Sequence, residues 1–193
     1  MTIDASTPLR AVAMAVCTAL DHAGVTAVLT GGSAATCYAP EAYQSSDIDF
    51  IAVRFGGTTS RGAVDSQLAA IGFRRAVDCY RHPESPYPIE FPPGPLAVGR
   101  ELLTSWRTIR EGDGILHILH PTDSVKDRLA AFIHWNDRAG LSQALAVARA
   151  QSGEIDVLSI EAWAEGEGGR AKFADFLERL GGGSTGPGAG KAR

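Results

Sequence analysis

The chain alternates short apolar runs with glycine- and proline-marked breaks, and each change of period marks an element. Thr7-Pro8 reads as the N-cap and first residue of a helix, and Leu9, Val12, Val16 and Leu20 then recur at helical spacing until Gly24. Residues 25–30 form an apolar strand that breaks at Gly31-Gly32, and a short helix from Ser33 to Tyr38 ends before Pro40. Residues 47–54 alternate at first and then turn wholly apolar, as a second strand does. After a loop at Phe55-Gly56-Gly57, Thr58 or Thr59 caps a helix carrying Val64, Leu68 and Ile71, which Gly72 ends. Residues 73–80 read as a further strand. Residues 81–95 hold most of the prolines and are extended or turning, with a short strand at Tyr87-Pro88-Ile89-Glu90-Phe91. Residues 105–109 and 115–119 are two strands joined by Glu-Gly-Asp-Gly.

From His120 the period becomes helical. Pro121-Thr122-Asp123 opens a helix whose stripe is Val125, Leu129, Phe132 and Ile133, and Gly140 separates it from a second helix over residues 141–150. Residues 154–180 form one or two more helices, with Leu158, Ile160, Trp163, Phe173, Phe176, Leu177 and Leu180 expected to face the core. The Gly-rich tail is expected to be disordered, and its Gly190-Lys191 lacks the partners of a phosphate-binding loop. The pattern predicts an α/β (α+β) core of interleaved strands and helices over residues 1–120. A C-terminal helical segment follows over 121–180, and the tail over 181–193.

Composition narrows the class. Hydrophobic content of 45% and 21% charged residues suit a globular protein, and a net charge of -4 lacks the basic footprint of a DNA-coating surface, though RNA could still meet a local patch. Cys17, Cys37 and Cys79 are odd in number and read as reduced thiols of a cytoplasmic protein. The apolar run at residues 11–20 follows a segment carrying Asp4 and is not preceded by basic residues, which favours a buried helix over an export signal. No run is long enough to span a bilayer, so no membrane partner is expected.

The chemistry concentrates at residues 28–53. Residues i and i+2 of a strand share a face, so Asp47 and Asp49 project side by side. At a rise of ~3.3 Å per residue they start ~6.6 Å apart and repel by ~2.5 kcal/mol at an effective dielectric of ~20. A hard divalent cation relieves that repulsion. Gly31-Gly32-Ser33 at a strand-to-helix junction offers bare N–H groups and a helix N-terminus to phosphate. His117, His120 and His134 have no accompanying cysteine cluster and read as structural rather than zinc-binding.

Gly32-Ser33, thirteen residues, then Asp47-Ile48-Asp49-Phe50 resembles the signature of the DNA polymerase β-like nucleotidyltransferases. The chain looks most like their small bacterial abortive-infection and toxin–antitoxin members, specifically over residues 28–53 and more loosely over 121–150. The resemblance implies the nucleotidyltransferase fold, a mixed β-sheet with flanking helices plus the C-terminal helical segment, and an enzyme in which Asp47 and Asp49 hold two Mg2+ ions around an NTP such as ATP. Glu90 would be the third metal carboxylate, with Asp78, flanked by Val77 and Cys79, as its competitor. Gly31, Gly32 and Ser33 would cradle the β- and γ-phosphates through backbone N–H groups and the Ser33 hydroxyl. Lys126 and Arg128 would balance phosphate charge, with Asp137 as an accessory. Gln44-Ser45-Ser46 stands where many relatives carry a basic residue. The reaction implied moves a nucleoside monophosphate onto an acceptor hydroxyl of tRNA or protein, toxin-like, with a cognate antitoxin as partner. The alternatives are a small-molecule, antibiotic-type nucleotidyltransferase and a catalytically silent nucleotide-binding or partner protein.

Overall fold

The computed structural model describes residues 2–53 and 61–182. The expected strand end at Arg54, the loop at Phe55-Gly56-Gly57, the cap at Thr58 or Thr59 and the tail from residue 183 lie outside the described residues.

Helix α1 (Leu9–His22) buries Leu9, Val12, Ala13, Val16, Cys17 and Leu20 on one face. Its N-cap is Pro8, one residue later than expected, because the Thr7 hydroxyl is engaged with Asp4. Strand β1 (Thr26–Thr30) leads directly into α2 (Gly31–Tyr38), so the two glycines are the helix's first turn, not a loop before it. Strand β2 (Ile48–Val53) returns antiparallel to β1, with Leu29 opposite Phe50 and Thr30 opposite Asp49. Helix α3 (Arg61–Ala70) follows.

Residues 73–80 are not one strand. They make a tight hairpin of β3 (Arg74–Arg75) and β4 (Tyr80–Arg81), closed by the Ala76 N–H donating to the Cys79 carbonyl at 2.8 Å. Two consecutive exposed arginines leave no alternating apolar face to bury, and Val77 at the tip is 89% exposed. Strand β5 (Ile89–Glu90) lies parallel to β2 and antiparallel to β4. An unexpected second hairpin, β6 (Ala97–Val98) with β7 (Glu101–Leu102), turns through Gly99 at φ 59°. Strands β8 (Arg107–Glu111) and β9 (Gly114–Ile118) leave only Gly112-Asp113 outside their ladder.

The main sheet is mixed, as expected, in the order β3-β4-β5-β2-β1-β9-β8. Ala27, Leu29, Ile48 and Phe50 point to the face that α1 and α2 cover. Val28, Ile51 and Val53 point to the other face, where Leu96, Leu103, Trp106 and Leu119 form a smaller cluster. Asp49 shares that second face by its position two before Ile51.

Four helices complete the described residues: α4 (Pro121–Trp135), α5 (Arg138–Ala150), α6 (Val157–Gly166) and α7 (Arg170–Gly181). They pack on α2 and on one another, and one continuous core runs from Ile3 to Phe176. The break between α4 and α5 comes at Asn136, in the left-handed region at φ 57°, and Asp137 caps α5. Gly140 therefore lies inside α5. Leu158 is 75% exposed and Leu177 is 37% exposed, because Ile160 and Phe176 take the inward positions. Among the described residues no helix is long and apolar enough to cross a membrane.

Gly140 is where α5 crosses α4. A Cβ there would lie 2.7 Å from the Arg128 carbonyl oxygen and 3.1 Å from the Ala131 Cβ. Gly140→Ala should destabilise the chain by about 1–3 kcal/mol through overpacking. Gly166→Ala, whose Cβ meets nothing within 4 Å, should be neutral or slightly stabilising. Urea unfolding of the two variants beside the wild type checks the contrast.

Candidate functional site

Asp49 sits at the start of β2, with Thr30 opposite it on β1 and Glu90 beside it on β5. Asp47 stands in the bend just before β2, two residues back, and its charge acts on Asp49. The junction of β1 and α2 closes against this group. A Cβ on Gly31 would lie 2.5 Å from the Asp49 Oδ2, so the carboxylate rests on the glycine's Cα. Gly31 also has φ 64°, which a side chain would resist. At Gly32 a Cβ would stand 3.0 Å from both the Tyr43 hydroxyl and the Ser45 Oγ.

Ser33 is fully buried and acts as a pin. Its hydroxyl donates to the Thr30 carbonyl at 2.8 Å and accepts from the Asp49 N–H at 3.1 Å. That fixes the end of β1 to the start of β2, and the hydroxyl expected on phosphate is engaged instead with backbone. The backbone N–H groups of the first turn of α2 have no partner within the helix, as at any helix N-terminus.

Ser45 donates from its Oγ to the Asp47 Oδ1 at 3.0 Å, while its N–H donates to the Thr36 Oγ1 at 2.8 Å. Ser45 thus orients Asp47 from the Gln44-Ser45-Ser46 segment. Sequence reasoning passed over Ser45 and Tyr43, although Ser45 stands two residues before an aspartate, a spacing at which side chains commonly bond locally.

Burial pushes the Asp49 carboxyl from 3.8 up to about 6, and the charges of Asp47 and Glu90 add to that rise. The Arg128 guanidinium pulls the other way, and Asp127 pushes Asp49 further up. Arg128 is therefore a cation of this site.

Lys126 is not brought there. It is 3% exposed, and its Nζ meets the Glu101 Oε2 at 2.9 Å and the Asp123 Oδ1 at 3.8 Å, tying β7 to α4. Two residues along a helix turn by ~200°, so Lys126 and Arg128 cannot serve one pocket. Asp137 is engaged as the N-cap of α5, accepting from the Ala139 N–H at 2.9 Å. Asp78 lies in the turn between β3 and β4 and shares with Glu90 a cleft of about 500 Å3, lined also by Arg75, Tyr80, Phe91 and Pro92.

The histidines stand apart. His117 bonds Asp21 and Thr108, and His134 bonds Glu167. Among the described residues no group of three His, Cys, Asp or Glu side chains is arranged to hold a metal ion. The chemistry of the donor set still fits a hard divalent cation. Asp47, Asp49 and Glu90 offer oxygen alone, and the charges of Asp47 and Glu90 add to the rise that burial causes at Asp49.

No family model matches the chain, and no curated protein matches it. Among solved structures it is similar to the antibiotic-resistance factor ANT(2'')-Ia. The solution structure of that protein gives a TM-score of 0.49 at 12% identity, covering 88% of this chain and 92% of that one. The crystal structure in complex with adenylyl-2''-tobramycin gives 0.47 at 12%, covering 88% and 98%.

A carboxyl that holds its proton more tightly when folded penalises the folded state once it ionises. For Asp49 the penalty is absent below about pH 4, grows between 4 and 6, and is full above 6. Asp49→Asn should therefore be more stable than the wild type above pH 6, by about 1–2 kcal/mol after solvent screening. The gain should vanish near pH 4. Thermal melts across this range check it, and a variant less stable than the wild type at pH 8 contradicts it.

Proposed function

We propose that the chain is a metal-dependent nucleotidyltransferase. The observation that carries this reading is the register that sets Asp49 beside Glu90, with Asp47 two residues before Asp49 and the first turn of α2 against the Asp49 carboxylate. Asp47, Asp49 and Glu90 would hold Mg2+, two ions in the full complement, and the metal would supply charge neutralisation on the triphosphate and a lowered pKa for the acceptor hydroxyl. The N–H groups of Gly31, Gly32 and Ser33 bind phosphate oxygens, ATP or another NTP supplying them. Arg128 adds the positive charge that remains after Lys126 is paired with Glu101. The acceptor oxygen attacks the α-phosphorus, the α–β bridging P–O bond breaks, pyrophosphate leaves, and the hydroxyl proton passes to solvent. The chain's own contribution is placement and fixed charge.

The acceptor we infer is a small hydroxyl-bearing molecule. The cleft that Glu90 shares is small, and it is lined by Asp78 and Glu90 against the single cation Arg75. An RNA acceptor would bring phosphates to that acidic wall, on a chain whose net charge is -4. A toxin-like role with RNA or protein as acceptor and an antitoxin as partner draws less support from the site.

Asp47→Asn and Asp49→Asn should each lower Mg2+-dependent pyrophosphate release by at least ~100-fold, the scale of losing a primary electrostatic stabiliser. Glu90→Gln should do the same, whereas Asp78→Asn should leave the rate within about threefold and act on the acceptor KM instead. Initial rates with each NTP, over a panel of polyhydroxylated small molecules and bulk tRNA, check both halves. Full activity in both aspartate variants sinks the reading.

A further inference from the structure

Arg128 has five N–H donors, and three of them are engaged by its own neighbourhood. Nε and Nη2 donate to one oxygen of Asp127 at 3.0 and 2.7 Å, and Nη1 donates to the Gln143 Oε1 at 3.3 Å. Asp127 is the adjacent residue on α4, and Gln143 comes from α5 and is buried. The Arg128 and Asp127 side chains are only 19% and 22% exposed. The guanidinium is thus gripped from two helices that cross closely at Gly140.

Its other neighbours make that grip informative. Three carboxylates stand on the sheet side, and Arg128 acts on Asp49 through space. Yet among the described residues no ion pair joins Arg128 to Asp47, Asp49 or Glu90. A guanidinium free to swing would close onto those carboxylates, neutralise them and stand where a metal-bound triphosphate must go.

We propose that Asp127 and Gln143 are positioning residues, which hold the Arg128 guanidinium off the carboxylate group and keep its two remaining N–H donors for the phosphate chain of the nucleotide. The inference rests on the nucleotidyl-transfer reading and deepens it. Asp127 acts through Arg128 and touches no reacting atom. The α4–α5 pair is then the phosphate-side wall of the site, its cation fixed before the nucleotide arrives.

Calorimetric binding of inorganic tripolyphosphate at saturating Mg2+ tests this, because two accounts of Asp127 predict opposite signs. If Asp127 is only a nearby negative charge, Asp127→Asn tightens binding of the anion. If it positions Arg128, Asp127→Asn weakens binding by about 3–10-fold, and Gln143→Leu weakens it similarly. Asp127→Glu should recover part of the loss. In an Arg128→Gln background, Asp127→Asn should weaken binding no further. With the full reaction, both single variants should raise the nucleotide KM more than they lower kcat. Tightening in Asp127→Asn, or an undiminished loss in the Arg128→Gln background, overturns the positioning role while leaving the transfer reading standing. A wild type that binds no tripolyphosphate at all overturns the transfer reading and this inference with it.

Discussion

Like charges crowded on one side of a sheet are the constraint that organises this molecule. Antiparallel pairing of β1 with β2 and parallel pairing of β2 with β5 leave Asp49 beside Glu90, with Asp47 two residues behind. Neighbouring strands lie ~4.8 Å apart, so the register alone forces the carboxylates to interact. The surroundings answer that repulsion. Gly31 supplies a Cα with no Cβ where the Asp49 carboxylate must rest, Ser33 pins the two strands at that level, and Ser45 holds Asp47. Arg128 contributes a compensating charge from α4 without collapsing onto the group.

The rest of the fold makes such an arrangement tolerable. A site that raises a carboxyl to about 6 opposes folding at neutral pH, and a continuous core from Ile3 to Phe176 offsets it. The C-terminal helices belong to that core and to the site together. α4 carries Arg128, α5 carries Gln143, and the absence of a side chain at Gly140 lets the two approach closely enough for both to meet. The β6–β7 hairpin is tied to α4 through Lys126 and to α6 through the Trp163 Nε1, which donates to the Val98 carbonyl at 3.1 Å.

Much of this was legible in the chain. The alternation at Asp47-Ile48-Asp49-Phe50 predicted a strand there, which begins at Ile48, and Gly31-Gly32 marked the junction of strand and helix. Glu90 was singled out between its apolar flanks, Ile89 and Phe91, and the register sets it beside Asp49. Two misreadings share one physical cause. Lys126 with Arg128, and Leu158 with Ile160, are pairs two apart on a helix, where only one member can face a given target. Choosing the member needs the packing partner, which lies far along the chain. Gly140 was read as a break because it is glycine, whereas Asn136-Asp137 supplied the left-handed turn and the cap that separate α4 from α5. The grip of Gln143 on Arg128 depends on a helix crossing that no local pattern announces.

On the proposed reading, the carboxylate group and the first turn of α2 form one pocket for a triphosphate and its divalent cation. Calorimetric titration of ATP, CTP, GTP and UTP into the full chain, with Mg2+ and again with a chelator, tests it most directly. At least one nucleotide should bind at least ~10-fold more tightly with Mg2+, because the cation cancels carboxylate–phosphate repulsion. Equal affinity in the chelator, or no binding of any of the four, would contradict it.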